Sequence, residues 1–198
     1  MAIAGTSERQ LNDSLMQPFC ALDIETANQA NTGICQIGIA YFHNGSVADT
    51  WSQLLNPGCE FARSNIRVHG ITGEMTRDMP MLADVHGELK SWLDDQIVVS
   101  HTFFDKRVLS DSIARLDCPP LRTTWLDSCQ IARFSWRRER KGESFSLKAL
   151  ADWLGISFRH HDALEDAIVA GKITVSACAH ADISLDDWIA RSANDLSR

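Results

Sequence analysis

Two carboxylate side chains stand two positions apart at the end of an apolar run. Asp23 and Glu25 follow the apolar residues that begin at Phe19. If the run is a β-strand, side chains at alternate positions point to one face, so the two carboxylates project together. Neighbouring carboxylates repel each other unless a cation lies between them. An isolated Asp-x-Glu is more often a solvated strand end than a metal site, so the rest of the chain has to decide.

Two further acids occur where helices can carry them toward that strand end. Asp105 follows an apolar strand-like run, at the predicted start of a helix, where an acid is also typical as a cap or dipole partner. Asp166 lies in a predicted helix with a stripe of small residues, which allows close approach to a sheet. The stripe consists of Ala163, Ala167 and Ala170. We expect Asp166 to point at the strand ends, and the alternative is an exposed helical acid.

A histidine pair precedes Asp166 and offers a proton acceptor. His161 stands five residues before the acid, which on a helix would place it about 140° from the acid's face. We therefore place His161 on the loop before the helix, with Asp162 as N-cap. An imidazole has an unperturbed pKa near 6.5 and can take a proton from water near neutral pH. The adjacent His160 is the alternative, or simply a surface imidazole.

The predicted elements are three strands followed by alternating helices and strands. Strands are predicted over 19–24, 33–42, 47–55, 97–100 and 123–126, with a turn at 43–46 that makes the second and third antiparallel. Short helices and loops are expected over 63–80, and helices over 82–92, 104–116, 128–136, 146–154 and after His161. This order predicts a mixed α/β sheet with helices on its faces.

Length and composition place the chain among ordinary globular domains. It has 198 residues, 44% hydrophobic and 23% charged. We predict a flexible tail over 1–17 and a single domain over 18–198. The sequence has no run of about 20 apolar residues and no basic-then-apolar leader, which argues against a membrane or secreted protein. Six cysteines without a Cys-x-x-Cys pair predict buried, reduced thiols in a cytoplasmic protein.

The net charge restricts how the chain can bind a polyanion. Nineteen Lys and Arg against 26 Asp and Glu give a formal charge of -7. Bulk charge therefore cannot hold a phosphate-bearing substrate. Local cations or metal ions have to do so.

Three motifs in order resemble the DEDDh family of 3′-to-5′ exonucleases. They are Asp23-Ile24-Glu25-Thr26, His101-Thr102-Phe103-Phe104-Asp105 and His161-Asp162-Ala163-Leu164-Glu165-Asp166-Ala167. Supporting blocks are Val68-His69-Gly70-Ile71-Thr72 and the Ser146-Leu147 helix start. The family includes the proofreading epsilon subunit of bacterial DNA polymerase III, ribonuclease T and exonuclease X. The likeness runs from about residue 19 to 177, and the three motifs together are specific although each alone is weak.

The resemblance implies a ribonuclease H-like fold and a two-metal hydrolase. It makes His161 the general base and four acids the ligands of two divalent cations, Mg²⁺ or Mn²⁺. Those acids are Asp23, Glu25, Asp105 and Asp166. Two such ions can offset the four carboxylates and relieve charge on a phosphoryl group, and all-oxygen ligands favour hard ions. The implied activity releases nucleoside 5′-monophosphates from single-stranded DNA or RNA 3′ ends, with DNA slightly favoured, by a monomer, a homodimer or a polymerase-bound or repair-bound subunit.

Several residues are candidates for binding the substrate. Thr26, His69 and Phe104 match positions near the terminal nucleotide, with plain alternatives as a turn residue, a loop hydrogen-bonder and a core residue. The chain departs from the family at Thr102, where Asn is common, and at Ala27-Asn28, where Thr-Gly is common. Both departures bear on substrate preference, and neither removes a ligand.

A basic and aromatic segment over 133–141 stands out in this acidic chain. It holds five cations and two aromatic rings in nine residues. Its cations, with Arg137 and Arg138 foremost, can track a nucleic-acid backbone while rings stack on bases. The alternative is a solvated helix end with buried rings.

Two other classes of protein compete with the exonuclease. A haloacid-dehalogenase-like phosphatase would use Asp23 as a nucleophile, although Glu25 replaces that family's second Asp and the histidine motif is unexplained. A catalytically inactive nucleic-acid-binding module would retain the fold alone. Cleavage of oligonucleotides separates both from the exonuclease.

Overall fold

The computed structural model describes residues 17–29 and 33–195. Five strands are present in this part: β1 (Phe19–Thr26), β2 (Ile34–His43), β3 (Ser46–Leu54), β4 (Ile97–Ser100) and β5 (Thr124–Asp127). The helices are α1 (Arg63–His69), α2 (Gly73–Thr76), α3 (Leu82–Leu93), α4 (Phe103–Arg115), α5 (Ser128–Trp136), α6 (Leu147–Leu154), α7 (Ala163–Ala181) and α8 (Leu185–Asp195). The predicted tail lies outside the described residues except for Gln17.

The strands form one mixed sheet in the order β3-β2-β1-β4-β5. β1 pairs antiparallel with β2 and β2 antiparallel with β3, whereas β1 with β4 and β4 with β5 are parallel. Three meander strands followed by helix-strand alternation are thus confirmed, and each strand begins and ends within two residues of its prediction. The parallel pairs place the carboxyl ends of β1, β4 and β5 at the same edge.

The turn between β2 and β3 shows why the meander closes tightly. Asn44 and Gly45 both have positive φ, 51° and 71°. Two consecutive left-handed residues make the hairpin turn whose twist matches the paired strands, and Asn-Gly adopts it at little cost. The turn pairs His43 with Ser46.

Alternation along β1 separates two hydrophobic layers and places the acids. Phe19 and Ala21 pack with α5, α6, α7 and α8 on one face. Cys20, Leu22 and Ile24 pack with α3 and α4 on the other. Asp23 continues the first set, so it emerges on the face that α7 covers.

Two predictions about the periphery are corrected. Helix α8 was not anticipated, although Leu185 and Trp188 are buried in the core. The cysteines are free, but Cys59 is exposed and two others, Cys118 and Cys129, are only half-buried. The expectation of uniformly buried thiols was therefore wrong.

Within residues 17–29 and 33–195, no single helix has the length and apolar composition needed to cross a membrane. One bent pair, Ala163–Ala181 with Leu185–Arg191 at 86°, meets the length and composition requirement only when the two are taken together.

Candidate active site

The predicted catalytic residues meet in one open cleft at the carboxyl ends of β1 and β4. The cleft has a volume of about 650 Å³. Its wall includes Asp23, Glu25, Phe104, Asp105, His161 and Asp166. Residues separated by up to 143 positions in sequence are therefore neighbours because the parallel strands end together and α7 crosses above β1.

Four carboxylates form the floor of this cleft. Asp23, Glu25 and Asp166 each offer an oxygen, and these three atoms lie within 4.8 Å of one another. Asp105, only 4% exposed, accepts a hydrogen bond from the Ile24 backbone N–H at 3.2 Å through Oδ1. This bond anchors the start of α4 to the strand between the two β1 acids.

The four carboxylates lie close together despite their mutual repulsion. Burial, followed by repulsion from the neighbouring acids, raises the pKa of Asp23 well above its ordinary value and that of Glu25 to about 8. Burial also raises the pKa of Asp105 to about 7 and raises that of Asp166. In the described part of the chain, no Lys or Arg forms a salt bridge with any of these four acids.

This donor set suits hard divalent cations. Buried carboxylates without a basic partner are costly, and a bound cation converts the mutual repulsion into ligation. Oxygen-only ligands are those preferred by Mg²⁺ and Mn²⁺. The four acids are therefore the residues that would hold the ions.

His161 occupies the loop position predicted for it. It immediately precedes the N-cap Asp162, whose side chain accepts from the backbone N–H groups of Leu164 and Glu165. The Nδ1 atom of His161 lies 3.9 Å from Glu25 Oε1. Burial and the adjacent His160 lower the pKa of His161, which favours the neutral, proton-accepting imidazole.

His160 also enters the site, by a contact that spacing did not reveal. Its Nδ1 lies 3.0 and 3.1 Å from the two carboxylate oxygens of Asp166. The His161 backbone N–H donates to Asp166 Oδ2 at 3.1 Å. The two imidazole rings are stacked, with centroids 3.8 Å apart.

The candidate nucleotide-pocket residues separate into two groups. Phe104 lines the cleft and also packs against the core beneath α4. Thr26 and His69 lie beyond the cleft wall: His69 Nε2 donates to the Thr26 carbonyl at 3.2 Å, and its Nδ1 accepts from the Ile71 N–H at 2.9 Å. These bonds match the plain alternative of His69 as a loop hydrogen-bonder, and their role in binding substrate stays a prediction.

The basic segment divides between core and surface. Arg140 is 6% exposed and donates through Nη2 to the Ser144 carbonyl at 2.7 Å, and Trp136 is 2% exposed. The alternative of buried rings therefore holds for Trp136, and Arg140 has a packing role. Arg137 and Arg138 are exposed and lie outside the cleft wall.

Arg133 is the cation of this segment that reaches the cleft. Within residues 17–29 and 33–195 it is the one Lys or Arg in the cleft wall. Its guanidinium lies 5.0 Å from the centroid of the Phe145 ring, and its Nε donates to Cys129 Sγ at 3.4 Å. In the sequence, Arg133 is one of five cations of the basic segment and nothing distinguishes it from the other four. Its position in the cleft was therefore not predicted.

His101 fixes the wall on which Arg133 and Phe145 lie. Its Nδ1 and the Ser128 hydroxyl are 2.9 Å apart, and its Nε2 and the Phe145 carbonyl are 3.0 Å apart. Because the carbonyl can only accept, Nε2 carries the proton and Nδ1 accepts from Ser128. Burial lowers the pKa of His101 to about 4, so the ring is neutral at pH 7.

Comparison with known proteins identifies the family of the chain. The family model described as "Exonuclease" matches residues 20–174. The DNA polymerase III PolC-type protein of Thermotoga maritima is 30% identical over 159 residues, covering 78% of this chain and 11% of the relative. The corresponding protein of Staphylococcus epidermidis is 27% identical over 173 residues, covering 85% of this chain and 12% of the relative. The chain thus spans about a tenth of the length of these curated relatives.

Solved structures share the fold. Exonuclease X in complex with 5′ overhanging duplex DNA superimposes with a TM-score of 0.71 at 20% identity, covering 85% of this chain and 96% of that one. The nuclease domain of 3′hExo, a DEDDh family member bound to rAMP, has a TM-score of 0.69 at 17% identity, covering 83% and 92%. Exonuclease I of E. coli with a dT13 oligonucleotide has a TM-score of 0.67 at 18% identity, covering 81% and 40%.

The chain belongs to the exonuclease family, of the DEDDh type, and has the ribonuclease H-like fold of its structural neighbours. The family match covers all three sequence motifs. It decides against the phosphatase class, in which the histidine motif had no role.

Proposed function

We propose that this protein is a metal-dependent exonuclease that removes nucleotides one at a time from the 3′ end of a single strand and releases nucleoside 5′-monophosphates. The observation that carries the proposal is the cluster of Asp23, Glu25 and Asp166, with ligand oxygens within 4.8 Å of one another. Asp105 and His161 stand beside this cluster in the same cleft. Family membership supports the direction of digestion, and the mononucleotide product is proposed from the resemblance of the motifs.

The acids would hold two divalent cations, with Mg²⁺ and Mn²⁺ the ions that suit their oxygens. When bound, such ions lower the pKa of a water molecule, orient the phosphodiester and offset charge on the attacked and departing oxygens. The chain supplies the fixed geometry: β1 sets the spacing of two acids, the Ile24 N–H holds Asp105, and the His161 N–H holds Asp166.

His161 is the proposed general base. Its side chain is 39% exposed and faces the cleft, so water can reach the ring. The neutral imidazole takes a proton from the attacking water. The water oxygen forms a bond to the phosphorus of the terminal nucleotide, and the 3′ oxygen of the penultimate nucleotide leaves. His160 is less suited to this step because its Nδ1 contacts Asp166.

DNA is the proposed principal substrate. The curated relatives are DNA polymerases by name, and two of the structural neighbours contain DNA. The rAMP bound to 3′hExo shows that the fold also accepts a ribonucleotide in that protein. A cytoplasmic location, the oligomeric state and association with a polymerase or repair protein stay predictions.

The test is digestion of 5′-labelled single-stranded DNA and RNA of one sequence, with Mg²⁺ or with EDTA. We expect a ladder that shortens from the 3′ end, requires the divalent ion and forms faster on DNA. Asp166→Ala should abolish the ladder, and His161→Ala should slow it by a factor of about 10² to 10⁴.

The controls separate the competing classes. A label on the 3′ end distinguishes exonucleolytic release of mononucleotide from internal cleavage. Binding of the oligonucleotide without cleavage, in the presence of Mg²⁺ and of Mn²⁺, would support the inactive module instead. Equal activity of the Asp166→Ala and unaltered proteins would contradict the assignment of this cleft as the active site.

A further inference from the structure

We infer that His160, His161 and Asp166 form a second metal site. This site is selective for divalent ions that prefer nitrogen ligands, such as Zn²⁺, and its occupation inhibits the exonuclease. Each of these residues offers a ligand atom, and the three atoms lie within 4.8 Å of one another. The site shares Asp166 with the oxygen-only cluster but takes its other two ligands from imidazoles. The inhibitory part of the inference rests on the proposed function.

The backbone at His161 is what brings the two rings together. Consecutive residues in an extended chain point to opposite sides. His161 instead has φ of 69°, a left-handed conformation that costs energy in a residue with a Cβ. The result is a stacked pair of rings, 18° from parallel, beside a single carboxylate. A strained residue that gathers ligating groups is typical of a functional position.

The Asp166 carboxylate is oriented to serve such an ion. Its Oδ2 is held by the His161 N–H at 3.1 Å, which fixes the group on α7. Its Oδ1 lies 3.1 Å from His160 Nδ1. In a tetrahedral zinc site with bonds of about 2.0 Å, ligand atoms lie roughly 3.3 Å apart. His160 Nδ1 also lies 3.0 Å from Oδ2, so these are hydrogen-bond distances, and a zinc ion that replaced the shared proton would need the ligand atoms to separate by only about 0.3 Å.

The remaining ligand can complete the site by a side-chain rotation. The His160 and His161 side chains are 30% and 39% exposed, whereas that of Asp166 is 4% exposed. The two rings can therefore turn in the open cleft while the carboxylate stays fixed. Two imidazoles and one carboxylate match the ligand preference of Zn²⁺, and Mg²⁺ prefers an all-oxygen set.

Zinc at this position would stop the reaction in two ways. It would occupy the lone pair with which His161 takes a proton from water. It would also occupy an oxygen of the fixed Asp166 carboxylate, which would then be lost as a ligand to the cluster with Asp23 and Glu25. Metal identity then selects between an active and an inhibited enzyme.

The direct test is isothermal titration calorimetry of the metal-free full chain with ZnCl₂. His160→Ala removes a ligand outside the oxygen-only cluster and should weaken zinc binding at least about tenfold. The matched control is His43→Ala, which removes an exposed histidine at the β2–β3 turn and should leave the zinc affinity unchanged. Equal zinc affinity of the His160→Ala and unaltered chains would overturn the inference.

A measurement on the unaltered protein covers the case in which His160→Ala does not fold. Nitrogen-15 NMR of the imidazoles should show, on zinc addition, a coordination shift of one ring nitrogen of His160 and one of His161 that is larger than any change caused by Mg²⁺ at the neighbouring Asp166. Unmoved signals from either ring would contradict the site.

Activity gives a third and separable readout. At saturating Mg²⁺, the zinc concentration that halves the rate should rise at least about tenfold in His160→Ala, each protein being compared with its own zinc-free rate. An unchanged inhibition curve would count against the site. If no protein cleaves DNA with Mg²⁺, the proposed function fails while the calorimetry still tests the zinc site.

Discussion

Gly38 on β2 and Ala163 at the start of α7 are in contact so close that no side chain fits between them. A Cβ on Gly38 would lie 2.3 Å from the carbonyl carbon of Ala163. Gly38 is also the residue paired with Asp23 across the β1–β2 ladder. The same close approach therefore sets how near the first turn of α7, which carries Asp166, comes to the β1 acids.

Gly38→Ala should damage stability and activity together. The added methyl group meets backbone atoms, which cannot rotate away, so α7 has to shift. We expect a loss of about 1 to 3 kcal/mol of unfolding free energy, measured by urea denaturation. Nuclease activity at saturating Mg²⁺ should fall at least tenfold, because small displacements of reacting groups are costly.

Gly87→Ala is the matched control for that substitution. Gly87 lies in α3, and a Cβ there would meet nothing within 4 Å beyond its chain neighbours and the local backbone of its own helix. Alanine should stabilise the helix there by up to about 1 kcal/mol and leave activity unchanged. Full activity of Gly38→Ala would show that the contact does not position Asp166.

The stripe Ala163, Ala167 and Ala170 illustrates how far sequence reasoning reached. Its spacing correctly predicted a helix packed closely on the sheet, and all three side chains are at most 1% exposed. The surface of the sheet that receives the helix was not predictable, because the contacts of Gly38 with Ala163 and of Phe42 with Gly171 exist only once the strands and the helix are packed together. Local periodicity specifies which face is buried, whereas the partner of that face depends on contacts between distant segments.

The same distinction applies to the site. The motif order selected the four acids and His161 as candidates, since their spacing is a property of the chain, and the structure brings them together in one cleft. Arg133, His101 and His160 gained their positions from tertiary contacts with Phe145, Ser128 and Asp166. Helix α8 was missed although Leu185, Trp188 and Ile189 show helical spacing, because no glycine marks the end of α7. Asp182 makes that turn with φ of 53°.

Divalent ions should stabilise the folded protein through the carboxylate cluster. With the pKa of Glu25 raised to about 8, the metal-free cluster is strained by burial and repulsion at neutral pH. Ions at about 100 times their dissociation constant contribute about 2.7 kcal/mol, which raises the Tm by roughly 5 to 10 °C for a chain of this size. Differential scanning fluorimetry with and without Mg²⁺ or Mn²⁺ measures this shift.

Asp166→Asn should reduce the stabilisation that divalent ions provide. Removal of one charge relieves repulsion, so the metal-free variant should melt above the metal-free unaltered protein, and its ion-induced shift should be smaller. Asp111→Asn, at an exposed position on α4, should retain the full shift. An equal shift in Asp166→Asn would place the ions elsewhere.

Arg133→Ala should weaken substrate binding more than it slows chemistry. In the described part of the chain no carboxylate forms a salt bridge with Arg133, which leaves its charge available for a substrate phosphate. We expect KM for single-stranded DNA to rise about tenfold with little change in kcat, and the slope of log affinity against log salt to fall by about 0.7.

The comparison variant for Arg133 is the double substitution Arg137→Ala and Arg138→Ala. These exposed residues were predicted to guide the strand, and from outside the cleft wall they should affect KM less than Arg133 does. Arg140 is unsuitable for the same experiment because its guanidinium packs 5.0 Å from the Trp153 ring and its loss would destabilise the wall. A KM unaffected by Arg133→Ala would assign phosphate binding to other groups.

His101 should make the protein less stable as the pH falls. Its pKa is about 4 in the folded state and near 6.5 when unfolded, so between these values the unfolded chain binds the additional proton. Its contribution is therefore present above pH 6.5 and is lost as the pH falls through 4. From pH 7 to pH 5 the loss is about 2 kcal/mol. The raised carboxylate pKa values act in the opposite direction, because protonation of the folded acids is favourable.

Urea denaturation of the metal-free unaltered chain and His101→Gln at each pH isolates the histidine, since the carboxylate contribution is common to both. The unaltered chain should be the more stable at pH 7, and its advantage should shrink by about 2 kcal/mol at pH 5. A difference that is constant with pH would mean that His101 is not held neutral by the Phe145 carbonyl and the Ser128 hydroxyl.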